Sequence, residues 1–317
     1  MNQTNTIIEV KDLQKKFGNL TAVDCISLNV MKGEVFGFLG PNGAGKTTSI
    51  NMMCGLLKPT KGQVVILGKN ITNSNNIDVK SKIGVCPQNI IIWNKLTCLE
   101  QLEFMGTMYG LSVKEARNRG KELLENLGLT EKINKLAQTL SGGMQRRLNI
   151  CLALVHDPEI VVFDEPEAGL DPQSKIMVRD FIKSVAKEKT VILTTHNMDE
   201  AERLANRIAI IDKGKLLLID SPEELKKTIG EGDVLEIEII DYEKNNIDLV
   251  CNELKKITEN LNIVDNLMII KSKNLIEKVA DIVIILKQNN IKISEMRLRE
   301  NSLEDVFIYL TGRKLRE

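Results

Sequence analysis

Three short stretches carry residue types whose spacing suits phosphate chemistry. The first is "GPNGAGKTT", which sets Gly40, Gly45, Lys46 and Thr47 in the spacing G-x-x-x-x-G-K-T. Glycines allow backbone amides to close around phosphate oxygens, and a helix beginning there adds a dipole that favours anions. Lys46 can reach β- and γ-phosphates, and the Thr47 hydroxyl can hold Mg2+. Pro41, Asn42, Gly43, Ala44 and Thr48 complete the expected nucleotide cradle. The second stretch, "IVVFDEP", ends an apolar run on Asp164 and Glu165. The first carboxylate suits the Mg2+ shell, and the second is placed to polarise a water for attack on the γ-phosphate. The third, "VILTTH", ends on His196, one of two histidines in the chain. Helix capping by the acidic pair, and a purely structural histidine, are the plain alternatives.

These residues need a scaffold that gathers them. "EVFGFLG" (34–40), "EIVVFDE" (159–165) and "TVILTTH" (190–196) are continuous apolar runs that stop abruptly, the texture of strands covered on both faces. Helical patterns such as "TTSINMMCGLL" and "PQSKIMVRDFIKSVAKE" follow them, which predicts an α/β fold with a mainly parallel sheet. In such sheets ligands bind beyond the carboxyl ends of the strands, and all three motifs sit at those ends. Residues 7–35 alternate apolar and polar and predict a small antiparallel sheet, while 95–157 read as a helical insertion. The boundary of this first domain, 1–228, is set by a shift to Ile, Asn, Lys and Glu. Residues 229–317 predict a C-terminal α+β accessory domain of split-βαβ type, closed by a helix from Leu303.

A second anion site is also written into the chain. "LSGGMQRRLNI" (140–150) places Ser141 as an N-cap, with Gly142 and Gly143 opening a helix whose first amides face outward. The bulk composition restricts what partners to expect. Lys plus Arg equals Asp plus Glu at 43 each, so the basic excess used in non-specific nucleic-acid binding is missing. No apolar run reaches the roughly 18–20 residues of a membrane span. The N-terminal residues lack the pattern of a signal peptide. Six cysteines without a C-x-x-C pair read as buried reduced thiols, which places the chain in the cytoplasm.

Taken together, the motifs resemble those of the ATP-binding cassette (ABC) ATPases, and the likeness runs from residue 6 to about 225. The resemblance implies ATP and Mg2+ as ligands. It makes Gln88 in "VCPQN" the glutamine that contacts Mg2+ and the attacking water, and His196 the switch histidine at the γ-phosphate. "LSGGMQ" then becomes a signature that grips the nucleotide of a second subunit, and "AGLDP" (168–172) the loop that brings Asp171 to the dimer interface. Phe17 stands where the family puts an aromatic that stacks on adenine; a Phe buried in the small sheet is the alternative. The family usually has Thr where "DEPEAG" has Glu167, so an extra negative charge is expected near the interface.

The closing stretch "RENSLEDVFIYLTGRKLRE" (299–317) resembles ATPase subunits of ABC-2-type, daunorubicin-resistance-like exporters. That resemblance implies pairing as a homodimer or heterodimer with integral-membrane permease subunits, at the inner face of the cell membrane. "NIIIWNKLT" (89–97), with the chain's single Trp, is the expected docking segment, unless it only closes the core beneath Gln88. A soluble ATPase switch acting on ribosomes or DNA, or a silent nucleotide-sensing regulatory subunit, are the rival functions.

Overall fold

The computed structural model describes residues 5–72, 76–228, 233–241, 244–258, 260–264 and 266–312. Alternation in the first thirty residues produces two long strands, β1 (Thr6–Phe17) and β2 (Leu20–Met31), joined at Gly18 in the left-handed region. They form an antiparallel pair with register shifts along β1, and β1 also pairs with β4 (Lys61–Ile66), which pairs with the short β5 (Lys69–Asn70). Between them β3 (Val35–Leu39) leads into the cradle and α1 (Lys46–Met53).

The central sheet has the order β10-β9-β3-β8-β7-β6. After the short α2 (Ile77–Lys80) come β6 (Ile83–Cys86), β7 (Ile160–Asp164), β8 (Thr190–Thr195), β9 (Arg207–Asp212) and β10 (Lys215–Asp220). All neighbours from β9 to β6 are parallel, and only β10 runs antiparallel, against β9. Every residue of β3, β7 and β8 is buried. That matches continuous apolar runs with no solvent face. Ile8, Val30, Phe38, Ile50, Val162 and Ile192 belong to one core cluster that joins the two sheets through α1.

The segment between β6 and β7 is helical, as its periodicity predicts. It holds α3 (Cys98–Met108), α4 (Val113–Asn126) and α5 (Gly142–Leu154). Thr97 with Glu100, and Ser112 with Glu115, form capping boxes that fix where α3 and α4 begin. Gly106 lets α3 and α4 approach closely, since a Cβ there would lie 2.6 Å from the Ala116 Cβ. α6 (Pro172–Ala186) and α7 (Met198–Leu204) follow β7 and β8, and α6 lies beside α5, where Arg147 Nη1 meets Met177 Sδ at 3.2 Å.

The chain divides into two compact units, one extending to Pro222 and the other covering Glu223–Gly312. The break falls within α8 (Pro222–Thr228). The second unit contains β11 (Asp233–Asp241), α9 (Lys244–Leu254), β12 (Asn260–Val264), β13 (Leu267–Ser272), α10 (Leu275–Gln288), β14 (Lys292–Glu300) and α11 (Leu303–Thr311). Its antiparallel sheet has the order β12-β13-β11-β14. β13 therefore lies between β11 and β12, the split-βαβ arrangement. Leu235, Ile237, Met268, Ile270, Ile282 and Leu286 fill its core. Arg299 of β14 holds both Glu236 of β11 (2.6 Å) and Asp305 in the first turn of α11 (2.8 Å).

No disulfide joins the six cysteines. Cys54, Cys86, Cys98 and Cys151 are buried as expected, but Cys251 is only half-buried and Cys25 is exposed at an irregular point of β2 with φ of 51°. Among the described residues no helix is long and apolar enough to cross a membrane.

The contact of β6 with α5 is the tightest test of this packing. A Cβ on Gly84 would lie 2.0 Å from the Ala153 carbonyl oxygen and 2.8 Å from Pro158. Gly84→Ala is expected to cost about 1–3 kcal/mol, the range for overpacking a core, read as a lowered midpoint in denaturant unfolding.

Candidate active site

β3, β8 and β7 are adjacent and parallel, so Gly40, His196 and the pair Asp164–Glu165 emerge on one edge of the sheet. The loop from Gly40 to Gly45 turns back over that edge, with Gly43 (φ 79°) and Gly45 (φ 102°) left-handed. Two of the glycines are dictated by what lies behind the loop. A Cβ on Gly40 would meet the Ile211 carbonyl oxygen at 2.2 Å, and one on Gly45 the Ala22 carbonyl oxygen at 2.6 Å. Gly43 faces open space, where an anion can approach the backbone.

A cavity of about 500 Å³ lies over this loop. Asn42 to Thr48 form its floor, Gln88 and Glu165 one wall, and Leu20, Thr21 and Ala22 another. Phe17 is not part of that lining. It is 50% exposed beside the hairpin turn, with the Lys15 ammonium 5.1 Å from its ring centre. The alternative of a Phe buried in the small sheet is therefore overturned, because β1 ends at the surface. Lys213 and Gly214, from the β9–β10 turn, also line the cavity. Sequence reading missed them; the only signal was the turn "DKGK". Gly214 is locked there by hydrogen bonds from Asp24 N (2.8 Å) and to Ala44 O (2.9 Å).

The carboxylates are buried and fully engaged. Thr47 Oγ1 donates to Asp164 Oδ2 at 3.0 Å, and Thr194 donates a short bond to the other oxygen. Glu165 has a left-handed backbone (φ 50°), rare outside glycine and frequent where function fixes a side chain. Its Oε2 accepts from Gln88 Nε2 at 3.1 Å, and its Oε1 lies 3.1 Å from His196 Nδ1 and 3.7 Å from Lys46 Nζ. Lys46 also donates to the carbonyls of Gly40 (2.7 Å) and Pro41 (3.2 Å). Burial pulls the Lys46 ammonium below its ordinary pKa, and the charges of Glu165 and Asp164 act against that. A hydroxyl, a carboxylate and an amide oxygen, from Thr47, Asp164 and Gln88, form the hard oxygen set that Mg2+ prefers.

Arg146, inside "LSGGMQRRLNI", has no role assigned from the sequence. It is fully buried, and among the described residues its acceptors are backbone carbonyls. Its guanidinium donates to the carbonyls of Pro87 (2.6 Å), Gln88 (3.0 Å), Asp164 (2.6 Å), Glu165 (2.7 Å) and Pro166 (3.3 Å). A planar, five-donor fork on α5 thus ties the segments that carry Gln88 and Glu165 together from behind.

Ser141 caps α5, accepting from Met144 N at 3.4 Å. Gly142 is exposed, and a Cβ on it would meet nothing within 4 Å. Gly143 lies beside Leu170, Asp171 and Ser174. None of Ser141, Gly142 and Gly143 lines the cavity of its own chain. Asp171 caps α6 through Ser174 N at 3.0 Å.

The extra charge of Glu167 is not left free. Its carboxylate is buried and paired in a two-pronged contact with Arg179 of α6, at 2.9 and 2.8 Å.

A second cavity, of about 450 Å³, opens on the far side of Gln88 between β6, α3 and α5. Ile91, Trp93, Met105 and Leu152 contribute to it. Trp93 is 40% exposed and meets Phe104 edge to face at 5.4 Å between ring centres.

Comparison with known proteins agrees with this geometry. The pattern of the family described as "ABC transporter" matches residues 23–168. The chain is similar to the linearmycin resistance ATP-binding protein LnrL of Bacillus subtilis, 34% identical over 98% of this chain and 100% of that protein. It is 34% identical to the Nod factor export ATP-binding protein I of Cupriavidus metallidurans, over 98% of this chain and 99% of the relative. Among solved structures, the ATP-binding cassette MJ0796, a dimer in a post-hydrolysis state with ADP and Pi, matches 68% of this chain and 98% of its own. Its TM-score is 0.63 at 28% identity.

Lysine cannot serve five carbonyls in a fan. Arg146→Lys is expected to lower unfolding free energy by about 3 kcal/mol, from the loss of bonds to a charged donor, and to reduce turnover. Denaturant unfolding and steady-state kinetics on one preparation check both.

Proposed function

The chain belongs to the ABC transporter family and is its ATP-binding, ATP-hydrolysing subunit; from that premise we propose that it drives an exporter whose membrane path is a separate permease. The observation that carries the proposal is the pair of half-sites in one chain. The cavity over Gly40–Thr48 has a complete floor and a catalytic wall but no lid, whereas Ser141–Gly143 present an exposed helix start outside that cavity. The first amides of a helix have no intrahelical acceptors. Two copies facing head to tail would place each signature on the other's γ-phosphate, and the family works as dimers.

In this reading Lys46 leaves the Gly40 and Pro41 carbonyls for the β- and γ-phosphates. Thr47, Asp164 and Gln88 would hold Mg2+, which supplies charge neutralisation at the phosphates. Glu165 accepts the proton of the attacking water, and His196 contacts the γ-phosphate from the neighbouring strand. Because Gln88 donates to Glu165 and, with Thr47, lines both the nucleotide cavity and the one beside Trp93, a change at the phosphate reaches the second cavity through these two residues.

That cavity, with exposed Ile91 and Trp93 beside it, supports docking of a permease segment there. Attachment at the inner face of the membrane follows from such docking. Export rather than import is favoured by relatives matched end to end, which are named for resistance and for export. The same matches favour a transporter subunit over a soluble ribosome- or DNA-acting switch. The C-terminal unit (residues 229–317 by sequence) is proposed as an accessory domain of that subunit.

Glu165→Gln is expected to bind ATP, stop turning over and accumulate as an ATP-bound dimer on size exclusion. Adding Gly143→Asp should return it to a monomer that still binds ATP, because the new carboxylate lies beside the Asp171 carboxylate and would face a phosphate. A persisting dimer would reject the two-half-site assignment. Trp93→Ala is expected to weaken co-purification with the permease about tenfold or more, a typical anchor-residue loss, while turnover of the isolated subunit stays within twofold.

A further inference from the structure

The turn that presents His196 is built on Thr195, the last residue of β8, and Asn197, the cap of α7. Asn197 N donates to Thr195 Oγ1 at 2.9 Å, and Asn197 Oδ1 accepts from Glu200 N at 3.0 Å. One further contact closes this circuit: the Glu200 carboxyl oxygen Oε2 lies 2.5 Å from Thr195 Oγ1. Glu200 is 3% exposed, and its second oxygen, Oε1, is buried with no hydrogen-bond partner.

The surroundings of Glu200 are charged but do not pair it. β3 and β8, which pack against α7, carry no titratable side chain. The loop after β7 brings the carboxylates of Glu165 and Glu167, and α6 brings Arg179. Arg179 directs both prongs of its guanidinium to Glu167. The neighbouring cation is thereby taken, and a buried carboxyl with an unpartnered oxygen is left close to two other carboxylates.

We propose that Glu200 is a positioning residue for His196: its buried carboxyl, bonded to Thr195, fixes the turn that aims the imidazole at Glu165, and Glu167 sustains that state by occupying Arg179. Burial, with repulsion from Glu167 and Glu165, pushes the Glu200 carboxyl up to about 8. As the neutral acid, Glu200 donates through Oε2 to Thr195 Oγ1, which also accepts from Asn197 N and turns its own proton towards Asn197 O. As the anion, it would leave one charged oxygen unsatisfied and add a negative charge beside Glu165, so the brace loosens. The sign follows directly. Glu200 holds a proton in the folded chain between its unfolded value and about 8, so its ionisation withdraws stability as pH rises through that window.

The inference rests on His196 acting at the γ-phosphate, and the two can fail separately. Steady-state ATP turnover would be measured from pH 6.5 to 9.5 for wild type, Glu200→Gln, Glu200→Ala and His196→Ala. Wild type should lose about tenfold more kcat between pH 7 and 9 than Glu200→Gln, which keeps the hydrogen bond and cannot ionise. Glu200→Ala should lower kcat at every pH while the KM for ATP moves less than about twofold. Glu167→Thr, which frees Arg179 to pair with Glu200 and keep it ionised, should show the lowered kcat already at pH 7 and a flat alkaline limb, and it carries the comparison if Glu200→Gln does not fold. Superimposable profiles for wild type and the Glu200→Gln or Glu167→Thr variant would overturn the proposal. Full turnover in His196→Ala would instead remove the reading of His196 on which it stands.

Discussion

Everything near the catalytic edge answers to two adjacent carboxylates, Asp164 and Glu165, buried at the end of β7. A charge removed from water needs partners close by, or it does not stay charged. Thr47 and Thr194 serve Asp164, while Lys46, Gln88 and His196 converge on Glu165. These partners come from α1, β8 and the segment after β6, so satisfying the pair brings distant parts of the chain together. The backbone beneath is tied in the same way, because Arg146 gathers the carbonyls of Pro87, Gln88, Asp164, Glu165 and Pro166. The Arg146 ties and the left-handed backbone at Glu165 belong to one constraint, a side chain held at the point where the turn would otherwise relax.

The same requirement spreads outward to Glu167, Arg179 and Glu200. A bidentate pair neutralises Glu167, and the carboxyl left without a cation is the one under the His196 turn. Glu167, where the resemblance implies Thr, takes both prongs of Arg179. Nothing in the strand and helix pattern signals this; it depends on three side chains from separate elements meeting.

The nucleotide cavity and the exposed signature also explain each other. In the proposed dimer each chain would contribute a floor to one nucleotide and a lid to the other. The apolar cavity on the far side of Gln88 lies one side chain from Glu165, which accepts from Gln88 Nε2.

Much of this was legible in the sequence. Continuous apolar runs give buried parallel strands, since neither face meets water, and "EVFGFLG", "EIVVFDE" and "TVILTTH" become β3, β7 and β8. Glycine spacing ahead of Lys46 specifies a phosphate loop, because few residues accept its backbone. Alternation and order likewise led to the split-βαβ sheet of the second unit. What the tertiary structure decided is who meets whom. Arg146 carries no sequence signal of its role until α5 packs against β6 and β7, and Phe17, expected to stack on adenine, lies at the exposed end of β1 outside the lining of the nucleotide cavity. Lys213 and Gly214 join the cavity only because β9 lies next to β3. Local pattern follows from backbone period and burial, which the sequence carries residue by residue; charge pairing and cavity lining depend on contacts between residues far apart in the chain, which only the folded sheet order sets.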